Sequence, residues 1–442
     1  MTIEKVILGG QGLARLEDGI IVLVPEVLPG ELVEIEICSR KKQYVQARLV
    51  KIVEASPQRR SPPCKYFSSC GGCDLQHAAY PYQLILKSDY FKDTLARAIA
   101  PDCFSAIDFG PVLGCENEFN YRQRVRLQRD SSGRLGFYKK GSHDVIDIDS
   151  CALAVREINS VLTLLRGAAG HSSLLENAEA LELLYSPLDR KVIVIVHLVR
   201  KARPADIAAA RSLSAESDLV KSIWIAVEGF ALSGPYQADA TDSTEISTRI
   251  ELALHGIPQA ETLHFSIEPG GFCQVNLQQN QRLVQLMLEW VDEEKIQGCA
   301  LDLFCGMGNF SLPLAQSGFS VTGMDVQRAA IRSAQLNAER NSINNCLFSR
   351  SDAQQAIEIL IQDKEQFDLV LLDPPRQGCK NIIPALPVLG AEHIIYISCD
   401  PATLARDLAE LSKNGYSIIK CRGVDMFPQT HHIESISLLK KR

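Results

Sequence analysis

The sequence predicts an α/β protein: a Rossmann-like, doubly wound parallel sheet at the C-terminal end, an α+β middle, and a small N-terminal β-barrel of the oligonucleotide-binding kind. Three features of the chain lead there. From about residue 281, short apolar runs alternate regularly with helical stretches of 10–15 residues, the pattern of strands buried on both faces by crossover helices. The first 55 residues are β-branched runs broken by glycine and proline. Between them, Ser56-Pro57-Gln58-Arg59-Arg60-Ser61-Pro62-Pro63 has the composition of a linker. At about 150 residues per domain, 442 residues make two or three domains. The expected boundaries are 1–57, 58–270 and 271–442.

In the barrel, Val6-Ile7-Leu8, Ile20 to Val24, Leu32 to Ile37 and Ala47 to Val53 read as strands, and five short strands at this spacing suit a closed sheet. The unit is not basic overall, with nine Lys and Arg against eight Asp and Glu in residues 1–60. Its Arg40-Lys41-Lys42 turn is either a solvated hairpin tip or an RNA contact through Lys41 and Lys42. In the middle, strands at Val125 to Gln128, Val192 to Val196 and Ile223 to Val227 alternate with helices at Lys87 to Ala100 and Asp206 to Ser214. The last unit places strands at Ala300 to Leu303, Ser320 to Met324, Leu369 to Leu372 and Ile394 to Ile397.

Composition excludes several classes. With 46% hydrophobic and 22% charged residues, the chain is neither wholly disordered nor fibrous. No stretch approaches roughly 20 uninterrupted apolar residues, and Met1-Thr-Ile-Glu-Lys-Val lacks a secretory pattern, so a cytoplasmic protein away from membranes is expected. Disulfides are rare there, which leaves 14 cysteines to explain. Cys64-x5-Cys70-Gly-Gly-Cys73 is a glycine-rich run in which closely spaced thiolates can converge on one metal centre. Four cysteines suit zinc or a [4Fe-4S] cluster. The absence of a second C-x2-C favours iron–sulfur, with Cys151, Cys103 or Cys115 as fourth ligand. Cys38, Cys299, Cys346 and Cys421 read as buried fillers.

Asp302-Leu303-Phe304-Cys305-Gly306-Met307-Gly308-Asn309 follows a predicted strand and precedes a helix. Its glycines permit a sharp turn and close approach of a ligand. Asp325 ends the next strand, where a carboxylate can accept hydrogen bonds from ribose hydroxyls. Ser311 replaces the third glycine of a pyrophosphate-binding turn, which points to a nucleoside without phosphates, S-adenosylmethionine. Asp352 stands where it can meet an adenine amino group or simply cap a helix. Asp373-Pro374-Pro375-Arg376 and Ser398-Cys399-Asp400-Pro401 follow two further strands at the ligand-binding end of such a sheet. A helix beginning after Cys399 favours its thiolate.

A thiolate beside a methyl donor suits one chemistry. Carbon-5 of uracil is a poor nucleophile until a thiolate adds to carbon-6, and the adduct must then lose its carbon-5 proton to a base. His431-His432-Ile433-Glu434 offers candidates; Glu434, with a pKa raised in a closed site, is preferred, and the histidines are alternatives or orienting groups. Tyr121 to Lys140 carries seven Lys and Arg against Asp130 alone. Arg122, Arg124 and Arg126 alternate, so on a strand they share one face and can track phosphates, or else protect a strand edge.

Over nearly its whole length the chain resembles the bacterial RNA uracil-C5 methyltransferases, in particular the members acting on large-subunit ribosomal RNA. The barrel is similar to their TRAM domain. The resemblance implies that Cys64, Cys70, Cys73 and Cys151 hold a [4Fe-4S] cluster. It also implies that Gln274, within Phe272-Cys273-Gln274-Val275-Asn276, serves cofactor or base binding, and that Phe304, Asn309, Asp325 and Asp373 contact S-adenosylmethionine. Cys399 matches the nucleophile and Glu434 the general base; at Asp325 the family usually has Glu. The implied partner is ribosomal RNA with its target uridine turned out of the stack, and a monomer is expected.

Overall fold

A computed structural model describes residues 1–168, 173–237, 249–257 and 260–442. The first 54 residues form a five-stranded sheet from Lys5–Val6, Gln11–Arg15, Ile21–Pro25, Leu32–Arg40 and Tyr44–Glu54. The last two exchange places in the sheet order, and a bridge between Thr2 and Leu32 closes it into a barrel. Alternation in Ile21–Pro25 turns Val22 and Val24 inward, where they meet Ile3, Ala14, Val27, Val33, Val45 and Ala47. So small a core gains from tethers. Arg59, in the linker, grips buried Glu31 through two hydrogen bonds of 2.5 and 2.8 Å.

The middle carries a seven-stranded sheet in the order Ser233–Tyr236, Val220–Val227, Lys191–Leu198, Ala178–Ser186, Arg124–Arg129, Leu135–Tyr138, Val145–Asp147. Helices Arg156–Ala168 and Pro204–Ala215 bury Ile158, Leu162, Leu165, Ala210 and Leu213 in its core. The hairpin Ile250–Ile257/Ala260–Ile267 lies between this sheet and the C-terminal unit, sharing one core with Leu184, Ile193 and Ile195 on one side and helix Leu277–Glu293 on the other.

The C-terminal sheet has eight strands in the order Cys346–Arg350, Ser320–Asp325, Cys299–Asp302, Leu369–Leu372, His393–Ser398, Glu434–Lys441, Tyr416–Val424, Asp108–Phe109. Leu369–Leu372 is wholly buried, as a strand covered on both faces must be. Two expectations are corrected here. The sheet is mixed, because Glu434–Lys441 runs antiparallel to both neighbours. Residues 80–109, placed by the sequence in the middle unit, belong to this one: Asp108–Phe109 extends the sheet's edge, and helix Tyr80–Ala96 packs on helix Pro401–Lys413. That first helix begins seven residues before the expected Lys87, because Pro81 fits its first turn, and it stops short of Pro101. No helix among the described residues is long and apolar enough to cross a membrane.

Candidate active site

The strand order reverses between Cys299–Asp302 and Leu369–Leu372, which opens a crevice at the carboxyl ends of the parallel strands. On one side lies the turn before helix Ser311–Gln316. Gly306 and Gly308 adopt φ of +54° and +87° there, and a Cβ at Gly306 would meet nothing within 4 Å, so its backbone faces open space. Asp325 receives the Gly306 amide at 3.1 Å and the Gln327 amide at 2.7 Å. Beneath, buried Asp302 accepts the Ser311 hydroxyl at 2.6 Å, and burial pushes its carboxyl up to about 7. Phe304 is half-buried beside the turn. Asn309 is buried and pairs reciprocally with Asn280 of helix Leu277–Glu293, at 2.7 and 2.9 Å, so its amide fixes the turn to that helix. Gln274 lies half-buried just ahead of the same helix. Asp352 caps helix Ala353–Gln362 through the Gln354 amide at 3.0 Å and is exposed.

Across the crevice, Asp373 follows Leu369–Leu372 and Cys399 follows His393–Ser398. The antiparallel return places Glu434 beside them: Ser435 pairs with Ser398 in the register, and its hydroxyl donates to the Ser398 carbonyl at 3.1 Å. A strand entering from the opposite direction brings its first residue to the end where the parallel strands leave theirs. Asp373, Cys399, Glu434 and Arg376 therefore converge. Burial, then the carboxylates of Glu434 and Asp373, push the Cys399 thiol up to about 11, while Arg376 pulls it down. Glu434 is buried, and burial with neighbouring Asp373 raises its carboxyl well above the usual range, again against Arg376. Burial also raises Asp373 to about 7. The expectation that the following helix favours the Cys399 thiolate is corrected. Asp400 takes that N-terminus itself, accepting the Ala402 and Thr403 amides at 3.0 and 2.8 Å.

Cys64, Cys70, Cys73 and Cys151 face one another closely enough that each of the last three has its thiol raised, by burial first and then by neighbouring thiols. Arg122 acts in the opposite sense on Cys70 and Cys151. Among the described residues no three or more His, Cys, Asp or Glu side chains are gathered tightly enough to hold a metal ion. All 14 cysteines are free, and Cys38 and Cys299 are exposed rather than buried fillers, because both lie at strand positions that face solvent.

Of the basic strip, Arg124 and Arg126 share one face of strand Arg124–Arg129, since Val125 and Leu127 point into the core, whereas Arg122 precedes that strand and bridges to Ala154. Arg124 is committed to Glu182 through a short hydrogen bond and to the Gly271 carbonyl at 2.8 Å, whereas Arg126 is exposed. Lys41 and Lys42 are exposed at the barrel's hairpin tip, remote in the chain from the crevice. Sequence reasoning missed two parts of the site. Arg376 entered only as the last residue of Asp373-Pro374-Pro375-Arg376, although its charge acts on both Cys399 and Glu434. Lys87 hides among Gln83, Leu86, Tyr90 and Phe91 on the buried face of its helix, where an isolated lysine was the available signal of a buried ion pair; it donates to Asp425 at 2.6 Å.

The profile described as tRNA (uracil-5-)-methyltransferase matches residues 115–442, and the TRAM domain matches residues 2–50. The chain is 32% identical to a 23S rRNA (uracil(1939)-C(5))-methyltransferase RlmD of Vibrio vulnificus, over 99% of this chain and 95% of the relative. It is 33% identical to the protein of the same name from Pseudomonas putida, over 100% and 93%. A solved Pyrococcus abyssi tRNA (uracil-54, C5)-methyltransferase, in complex with S-adenosyl-L-homocysteine, shares the fold with a TM-score of 0.72 at 24% identity, covering 99% of each chain.

Proposed function

Because the chain belongs to the tRNA (uracil-5-)-methyltransferase family, we propose that it methylates carbon-5 of a uridine in 23S ribosomal RNA, using Cys399 as nucleophile and Glu434 as base. The convergence of Cys399, Glu434, Asp373 and Arg376 at the strand-order reversal, opposite the open Gly306 turn, carries the proposal. S-adenosylmethionine, when bound, supplies the methyl group. The crevice fits it: Asp325 stands where ribose hydroxyls can donate, Val326 beside it offers an exposed apolar surface, and Asp373 is half-buried as an acceptor. Phe304, Gly306 and Gln274 are the further contacts proposed for it, with Asn309 bracing the turn through Asn280; Asp352, already capping a helix, is proposed to offer its other oxygen to an adenine amino group.

The Cys399 sulfur bonds to carbon-6 of the uracil after losing its proton, a loss that Arg376 favours. The C5=C6 electron pair thereby becomes available at carbon-5, which takes the methyl group. Glu434 removes the carbon-5 proton, the double bond re-forms, and the C6–S bond breaks to return the thiolate. A raised carboxyl pKa suits Glu434 to that task near neutral pH. A uridine reaches Cys399 only when turned out of its stack. The barrel, with Lys41 and Lys42, and exposed Arg126 give the remaining RNA its contacts; Arg122 and Arg124 serve chiefly inside the protein.

Cys64, Cys70, Cys73 and Cys151 are the proposed ligands of a [4Fe-4S] cluster. Four thiols that face one another, with Arg122 offsetting their charge, fit such a group. Iron and sulfide assays on the purified protein and on Cys73→Ser test the assignment; unchanged iron in the variant overturns it. For the activity, tritium from labelled methyl donor is expected in uridine of 23S RNA and not of tRNA. Cys399→Ala is expected to lose both product and the covalent complex on 5-fluorouridine RNA. Methylation by that variant refutes the nucleophile.

A further inference from the structure

The loop 425–433, which leads into Glu434, is held by side chains from elements distant in the chain. Lys87 donates to the Phe427 and His432 carbonyls at 3.1 and 2.7 Å, and Tyr90 to the His431 carbonyl at 2.6 Å. Gln429 sits at φ +72°, a conformation that a non-glycine residue adopts at a cost of order 1–3 kcal/mol. Gln83 accepts its amide at 3.0 Å, and Gln83 and Arg60 both donate to its side-chain oxygen at 2.9 Å.

One set of contacts reaches the same loop from the cysteine-rich segment. Asp74, the neighbour of Cys73, accepts the His431 Nδ1–H at 2.6 Å and the His431 amide at 3.4 Å. The Asp74 and Leu75 amides both donate to the Gln429 carbonyl at 3.0 Å. Lys140 approaches Asp74 to 3.3 Å from the middle unit. The barrel closes over the pair: a Cβ on Gly10 would lie 3.0 Å from that of Asp74 and 3.1 Å from that of His431. The His431 ring lies 4.1 Å from that of His432, two residues before the base.

We propose that Asp74 and His431 are positioning residues for Glu434, so that the cysteine-rich segment helps to aim the base; the proposal rests on Glu434 removing the carbon-5 proton. Addition and methyl transfer precede that removal and do not need it, so loss of the pair slows only the last step. In Asp74→Ala, kcat is expected to fall roughly 10- to 100-fold, the loss a displacement of about 1 Å produces. KM for RNA should stay within about twofold. The covalent complex on 5-fluorouridine RNA should form to wild-type yield, while a methylated adduct accumulates on ordinary RNA. His431→Asn keeps a donor toward Asp74 and should retain far more turnover than His431→Ala, a comparison that holds even if Asp74→Ala lowers the melting temperature.

Wild-type kcat in Asp74→Ala, a trapping yield that falls in step with kcat, or equal losses in the two His431 variants overturns the proposal. The last outcome would make His431 an acid or base in its own right. Glu434→Gln, measured alongside, separates the two levels: unchanged turnover there removes the base assignment and this proposal with it, whereas the other failures leave that assignment standing.

Discussion

Asp373→Asn sets the needs of the site against the preference of the fold. Burial, with buried Asp302 nearby, moves the Asp373 carboxyl from 3.8 to about 7. The folded chain therefore keeps a proton that the unfolded chain releases above about pH 4. Between those values the unfolded state binds fewer protons, so stability falls as pH rises; below about pH 4 both states are protonated and the term vanishes. A shift of about three units at about 1.36 kcal/mol each amounts to about 4 kcal/mol at pH 8, and partial solvent access reduces it to about 2–4 kcal/mol. Asparagine stays neutral throughout. Urea unfolding of the full chain is expected to give matching wild-type and variant stabilities at pH 4 and a more stable variant at pH 8, by that amount, even as methylation is lost. A difference independent of pH, or a more stable wild type at pH 8, refutes the reasoning. The substitution also removes a like charge facing Cys399, so iodoacetamide should label that thiol faster.

Glu434→Gln should lower turnover about 10²- to 10⁴-fold while trapping on 5-fluorouridine RNA persists; parallel loss of both refutes a role confined to the last step. Arg376→Met removes the cation beside Cys399, so alkylation of that thiol at pH 8 should slow roughly three- to tenfold, with a limb of the pH–rate profile shifted upward. Faster alkylation contradicts the assignment. Lys87→Met leaves Asp425 buried without its cation and should destabilise the chain by about 3–5 kcal/mol in urea unfolding, with part of the loss recovered by adding Asp425→Leu. A change below about 1 kcal/mol there shows the pair to be dispensable.

The candidate site residues were legible because they follow apolar strands directly. Asp302, Asp373 and Cys399 each end such a run, and a buried parallel strand announces itself by continuous apolar sequence. The barrel was legible for the same reason, through β-branched runs and turn residues. Glu434 was visible as a residue type, but its place beside Cys399 depends on a strand entering antiparallel, which pairs Ser435 with Ser398. Nothing local encodes that register. Arg124 looked like an RNA contact because alternation shows which face a side chain takes but not which acid waits on the next strand; Glu182 does. The exposed Cys38 and Cys299 show the converse limit, since a general tendency of cysteine to be buried says little about a particular strand face.

Helix Tyr80–Ala96 and strand Asp108–Phe109 have a bearing on how the chain folds. Lys87 and Asp425 are 338 residues apart in sequence, and Asp108 pairs with Lys420. Contacts of such separation raise contact order, and loop closure over such distances slows folding. During synthesis the helix emerges long before the sheet that covers Leu86, Tyr90, Phe91 and Leu95. The partners that bury much of that apolar face lie beyond residue 400, so it is completed only late in synthesis, and transiently exposed apolar surface of this kind favours aggregation. A fragment holding residues 115–442 alone would lack both elements and leave Asp425 without Lys87. The catalytic unit is discontinuous in sequence, and it cannot be transplanted as a cassette cut at a single point.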